Sequence, residues 1–432
     1  MRLTLVPQEP PVITLIETVL RTLGLECTVS EDRESPCVVD TRHRAGHENP
    51  GEAASVGSTV YFDDYIPLEK MTLAVQGRTS GSPEFFTEPE FSIKSRAFFE
   101  SIRRVFASKG LPLVAKSYWP NGAPACLVLT HDVDWFSYSP LHKSVKQGKS
   151  LPRFSALVAR YTLGKRYGDN IRSTVQLESS MGVKSTFLFR THYEADKDKL
   201  ADSVRFCRNA GSEVALHSAK KAYKYPPVMA QEKAEMEELK GAPVSGLRQH
   251  ELRFEYDKTW DCVESSGLTY DMTFGRNEKT GFISGLCHPY HPMSLDGRAY
   301  DLLEIPTSFM DWTAIHAGMN FTAIRSLLDR LKRTAESLNG CLCVNFHNTY
   351  IDRELFPDIE KAYSLLISDC KKAGFWIATA EECAGWWRKR EETTLDPSFE
   401  DGQLRLGEGE GAVQPVVYWP EKSADQPGKQ LV

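Results

Sequence analysis

The chain has 432 residues, 25% of them charged and 41% hydrophobic, with a formal net charge of −6 at pH 7. That length exceeds one ordinary domain and suits two or three domains, or one barrel with additions. The charge gives no ground for a general polyanion-binding role, so no nucleic-acid partner is expected, and no run approaches the roughly 20 apolar residues of a membrane-spanning helix.

The first residues, MRLTLVPQEPPVITLIETVL, carry acids and prolines where a secretory leader needs an unbroken apolar stretch. The ten cysteines are scattered, and several (Cys126, Cys341, Cys343) lie inside apolar stretches, where free thiols are common. CLC at 341–343 is too tight for a zinc knuckle, and on a strand it points both thiols to one face. A reduced, cytoplasmic protein is expected.

Residues 1–115 read as a small α/β domain. PPVITLIETVLRTLG predicts a helix ended by glycine. A polar stretch (31–59), STVYFDDYIPL and a helical SRAFFESIRRVFASKG follow. SYWPNGAP (117–124) marks a boundary.

From residue 125 β-rich runs alternate with amphipathic helices. The runs are ACLVLT, STFLFR (185–190), SEVALH (212–217), VSGLRQ (244–249), LTYDMT (268–273), LLEIPT (302–307), CLCVNFH (341–347) and FWIATA (375–380). Most of the helical segments end near a glycine. Repeated βα units give a parallel sheet covered by helices. Over residues 116–392 they predict a distorted (β/α) barrel of seven or eight parallel strands. No GxGxxG turn follows the first strand, which weighs against a dinucleotide fold. Residues 393–432 read as an acidic, extended tail, with VQPVVYWP an edge strand or a loose appendage.

A (β/α) barrel builds its site at the C-terminal ends of its strands. Asp132 and Asp134 stand there after the first strand, His192 soon after the second and His217 at the end of the third. Arg248 and His250 end the fourth and His347 the seventh. Each alone is costly to bury, so together they predict a site. One carboxylate and two imidazoles, without thiolate, suit zinc or another divalent first-row metal and leave a position open for water.

These residues carry a resemblance. VLTHDVDW resembles the first motif of the polysaccharide deacetylase superfamily, carbohydrate esterase family four, in which a strand ends in a general base and then a metal-binding acid. EVALHS is similar to the second motif, which opens with a metal-binding histidine. VSGLRQHELRF sits where the family places an arginine that orients the catalytic acid. CVNFHNTY resembles the last motif, whose histidine acts on the leaving group. The match spans about 125–390, and the set THDVDW…LHS…RQHELRF…YDMTFG resembles a bacterial branch found with surface-polysaccharide genes.

The resemblance implies Asp132 as base, Asp134 and His217 as metal ligands, Arg248 as the residue orienting Asp132, and His347 as the acid for the leaving amine. It departs from the family at one place. The second motif's further histidine is replaced by Lys221, which cannot ligate while protonated. His250 is the leading substitute, His192, His288 and His291 are alternates, and loss of the third ligand stays open.

The implied activity is metal-dependent removal of an N-acetyl (N-acyl) group from an amino sugar or glycan. The rival is a catalytically inactive glycan-binding or assembly protein on the same fold. A weaker third reading is hydrolysis of another amide, an ester or a phosphate bond.

Plainer roles exist for each residue. The Asp pair can form a turn or helix cap, His217 can be a bonded core histidine, Arg248 can pair with Glu251, and His347 can cap a loop through Asn348. Asp311, Glu304 and Arg253 read as scaffold ion pairs, and AQEKAEMEELKG as a solvated helix face. Residues 136–168 carry Lys143, Lys146, Lys149, Arg153, Arg160, Lys165 and Arg166 without an acid among them. That insertion reads either as ordinary solubilising charge or as a rim for an anionic ligand: a nucleotide- or lipid-linked sugar, or a peripheral membrane contact.

Overall fold

Alternating apolar residues at Leu3 and Leu5, and the stripe Leu15, Ile16, Val19 and Leu20, bury one face of the first strand and first helix. In this computed structural model the strand Leu3–Leu5 (β1) pairs in parallel with Cys27–Val29 (β2) and Cys37–Asp40 (β3). Ser55–Val56 (β4) pairs antiparallel with Thr59–Tyr61 (β5), which joins β3 in parallel. The helices Pro10–Thr22, Leu68–Val75 and Glu90–Ser108 pack their buried residues into the same core. That core also takes in Leu286, Tyr290 and Met293, far beyond residue 115 in the chain. The structure describes residues 3–6, 8–30, 35–40, 55–56, 58–63, 65–66, 68–78, 88–142, 151–193, 197–219, 221–406, 413–420 and 429–431.

Leu113–Lys116 (β6) leads past the Pro/Gly turn into the main sheet. Its strands are Cys126–Val133 (β7), Thr186–Phe189 (β8), Glu213–Ser218 (β9), Gly246–Gln249 (β10), Tyr270–Asp271 (β11), Leu303–Glu304 (β12), Thr307–Met310 (β13), Cys341–Asn345 (β14) and Trp376–Ala378 (β15). They run parallel in the order β12-β11-β10-β9-β8-β7-β14-β13, with β15 also on β7. Every residue of β7 is buried, as a strand covered on both faces requires.

The two outermost strands, β12 and β13, are separated in the chain by Ile305 and Pro306 alone. The sheet therefore curls until its edges belong to one extended segment, which makes it a distorted (β/α) barrel. Up to Ile305, whose N–H donates to the Asp271 carbonyl at 2.9 Å, the segment pairs with the β11 side. Pro306 has no N–H to give, and beyond it the register passes to β14.

A side-chain carbon at Gly246 would lie 2.0 Å from the Tyr270 ring. The absence of one lets that ring cross β10 and its hydroxyl bond Glu213 on β9.

The tail departs from its sequence reading. After the hairpin Pro397–Glu400 (β16) and Gln403–Leu406 (β17), Pro415–Tyr418 (β18) is the middle strand of an antiparallel sheet between β6 and Lys429–Leu431 (β19). It is neither an edge nor a loose appendage, because it has a partner on each side and its successive residues Val416 and Val417, on opposite faces, are both buried. Among the described residues no helix is long and apolar enough to cross a membrane.

Arg390, fully buried on the helix Ala380–Glu392, joins the two ends of the molecule. It donates to the carbonyls of Ser117 (2.8 Å), Arg21 (2.7 Å) and Thr22 (3.0 Å). The last two lie at the end of the first helix, where a cation is favoured; the Arg21 carbonyl also accepts from the Gly24 N–H at 2.9 Å. Burial lowers the guanidinium pKa to about 10, so the group stays charged at neutral pH. Arg390→Ala removes three hydrogen bonds and leaves the Ser117 and Thr22 carbonyls without that donor; it is expected to cost about 2–4 kcal/mol, read as a lower urea midpoint.

Candidate metal centre

The end of β7 buries a carboxylate and the sheet answers it. Asp132 Oδ1 accepts from Arg248 Nη1 at 2.7 Å, and Oδ2 from Asn345 Nδ2 at 2.7 Å. The Asp132 backbone N–H in turn donates to Asn345 Oδ1 at 3.2 Å. Arg248 is itself buried and donates to Thr307 Oγ1 (3.0 Å) and the Met272 carbonyl (3.2 Å). Burial alone would raise the Asp132 pKa, but Arg248, then His217 and His347, hold it below the usual carboxylate value. Arg248 is thus no surface partner of Glu251, which pairs instead with exposed Arg253.

Asp134, two residues on, faces three imidazoles. Its Oδ1 lies 3.1 Å from His217 Nε2 and 3.4 Å from His250 Nε2, and its Oδ2 lies 3.6 Å from His347 Nε2. Burial opposes its charge, yet these rings hold the carboxyl well below its ordinary value. His217 Nδ1 donates to the Arg248 carbonyl at 2.9 Å, which turns its Nε2 toward Asp134. Burial, only partly offset by Asp134, lowers the His250 pKa.

Two ring nitrogens and a carboxylate oxygen thus converge, a donor set that suits a cation placed between them. Ligands about 2.0–2.1 Å from a tetrahedral zinc stand about 3.3 Å apart. The observed 3.1 and 3.4 Å separations match this, and the ligating atoms of Asp134, His217 and His250 all lie within 4.8 Å of one another. The residues present therefore fit a divalent ion.

His250 reaches this position because the chain turns sharply beyond it, with Glu251 and Leu252 at φ of 61° and 49°. Lys221 is exposed. The other candidate histidines are engaged elsewhere. His192 is exposed and 3.2 Å from Glu235. His288 stacks on Tyr118 and bonds the Leu338 carbonyl. His291 lies between the Tyr300 carbonyl and Glu391.

Across the mouth, His347 is held by Asp311, which accepts from its Nδ1 at 2.6 Å and its backbone N–H at 2.8 Å. Burial would lower the His347 pKa, but Asp311, then Asp134 and Asp132, raise it to about 9. Asp311 is therefore no mere scaffold pair: it fixes the ring and its charge. Glu304 does stay in the scaffold, accepting from Trp260 Nε1 and the Phe274 N–H. Asn348 donates to the Trp135 and Gly168 carbonyls, leaving His347 to Asp311.

Sequence reasoning missed three supports. Asn345 and Thr307 stand on β14 and β13, and only the parity of Asn345 with His347 on one strand hinted at the first. The helix Pro226–Lys240 is not merely solvated. Its buried Glu232 accepts from Ser218 Oγ (2.6 Å) and the Ala219 N–H (3.0 Å), fixing the chain just past His217.

Part of the basic insertion is neutralised, since Arg160 (3.0 Å) and Lys165 both pair with Glu354. Lys143, Lys146 and Lys149 lie outside the described residues.

No protein-family model matches the chain, and no curated protein matches it. Among solved structures it is similar to a Mycobacterium smegmatis protein designated a polysaccharide deacetylase, at 19% identity and a TM-score of 0.46 over 62% of this chain and 92% of that one. It is also similar to the PuuE allantoinase, at 18% identity and a TM-score of 0.46 over 63% and 93%. A third is a Pseudomonas aeruginosa PAO1 protein designated a polysaccharide deacetylase, at 18% identity and a TM-score of 0.45 over 63% and 94%.

His217→Ala and His250→Ala are each expected to lose one equivalent of bound zinc relative to the unsubstituted chain, by elemental analysis after dialysis. His192→Ala, His291→Ala and Lys221→Ala are expected to keep it.

Proposed function

We propose that the protein is a metal-dependent hydrolase that removes an N-acetyl, or another N-acyl, group from an amino sugar or glycan. One observation carries this reading: a carboxylate held by Arg248 and Asn345 (Asp132) and an imidazole held by Asp311 (His347) flank the Asp134/His217/His250 cluster. Hydrolysis of an amide needs that pair, a base for the attacking water and an acid for the departing nitrogen. The motifs shared with the polysaccharide deacetylase superfamily support the same chemistry. The resemblance to its surface-polysaccharide branch supports a surface glycan, or its precursor, as substrate.

Asp134, His217 and His250 would hold the ion, zinc in this reading, which would supply Lewis acidity toward water and the acyl carbonyl. Asp132 takes the proton from the attacking water. Arg248 and Asn345 keep that carboxylate charged and aimed, each holding one of its oxygens. His347 then gives the proton on its Nε2 to the leaving amine. Asp311, bonded to Nδ1, fixes the ring so that Nε2 faces the site. The amino sugar leaves as the free amine and the acyl group as a carboxylate.

Acetate release from N-acetylated oligosaccharides and nucleotide sugars, with zinc supplied, tests the activity. Asp132→Asn is expected to lower kcat by about 10²–10⁴ with metal content unchanged. Near-normal turnover in that variant would remove Asp132 as the base, and glycan binding without any acetate release would favour a non-catalytic role.

A pH profile tests the acid. A raised imidazole pKa keeps His347 protonated at neutral pH, and activity falls as pH rises through it. A bound cation beside Asp134 pulls that value down from the metal-free one. Asp311→Asn removes the negative charge that raises it most, so the basic limb of kcat/KM should move to lower pH.

A further inference from the structure

Ten cysteines far apart in sequence suggest scattering, but three of them converge. The sulfurs of Cys126, Cys341 and Cys383 all lie within 4.8 Å of one another, and all three residues are buried. Cys126 and Cys341 open β7 and β14 and are register partners, so parallel pairing sets their side chains next to each other. Cys383 comes from the helix Ala380–Glu392, which directly follows β15, itself paired to the first residues of β7. Trp119 and Trp387, tilted against each other with ring centroids 5.2 Å apart, belong to the same cluster of buried side chains.

We propose that Cys126, Cys341 and Cys383 form a second metal site, a closed three-thiolate pocket at the N-terminal end of the barrel strands that takes a soft, thiophilic cation such as Cd²⁺ or Cu⁺. Sulfur ligands about 2.3 Å from one ion stand about 4 Å apart, within the observed limit. Among the described residues two groups of three or more potential ligands gather this closely, and the other is Asp134 with His217 and His250. The two are opposite in kind. Oxygen and nitrogen donors at the mouth suit a borderline ion with an open position, while an all-sulfur set selects softer ions and excludes magnesium and calcium.

The local electrostatics favour a thiolate. Cys383 lies in the first turns of a helix whose start is closed by a capping box between Thr379 and Glu382.

The test uses the full chain, refolded from denaturant with Cd²⁺ under reducing conditions so that the buried thiols are reachable. Thiolate-to-cadmium charge-transfer absorption and elemental analysis are the readouts. The unsubstituted chain and Asp134→Ala are expected to show the ultraviolet band, and Cys383→Ser to lose it together with one equivalent of cadmium. Cys370→Ser, a buried cysteine outside the cluster, should keep both. Cys341→Ala replaces Cys383→Ser should the latter fail to fold. Absence of the band in the unsubstituted chain, or a band unchanged in the cluster variant, overturns the proposal. Because the mouth ligands carry no sulfur, this result is independent of the hydrolase reading.

Discussion

Two carboxylates separated by one residue at the end of a fully buried strand must be neutralised before this barrel can close. The sheet solves the problem asymmetrically. Asp132 receives a guanidinium and an amide from neighbouring strands, while Asp134 receives three imidazoles and room for an ion. Arg248 serves both halves. Its side chain neutralises Asp132, and its carbonyl turns His217 toward Asp134. Removing one partner from a buried ion pair costs about 3–5 kcal/mol, so the same contacts that could tune chemistry also hold the upper barrel together.

The consequence is a division of labour between charged side chains of similar type. Each oxygen of Asp132 has a protein donor, whereas Asp134 faces a ring of imidazoles. Asp311 stays on the far side of His347 and makes that ring a cation. The three acids differ in role because their neighbours differ, and those neighbours come from β13, β14 and the turn after β10.

Much of this was legible from residue order. All eight β-rich runs of the barrel region became strands of one sheet, because alternation of apolar runs with glycine-ended helices leaves few other ways to bury both faces. The strand-end acids, the histidine opening the second motif and Arg248 stood out because charge directly after an apolar run is expensive. What stayed hidden depended on register. Asn345 sits inside an apolar strand with no spacing signature. Glu232 looked like one more charge on a polar helix, although it faces inward. The thiol cluster needs three segments brought side by side, as β14 and β15 bring Cys341 and Cys383 to Cys126. The tail strand β18 could not be assigned a partner, since β6 lies about three hundred positions earlier in the chain.

That distance has a price during synthesis. β7 emerges early from the ribosome with only β8 soon available; its other flank waits for residues 341–345, and the start of the β8 flank for residues 376–378. Contacts this remote slow the final ordering and leave an apolar strand edge uncovered while two hundred residues are still being translated. A nascent chain of this topology is expected to depend on holdase chaperones until β14 arrives.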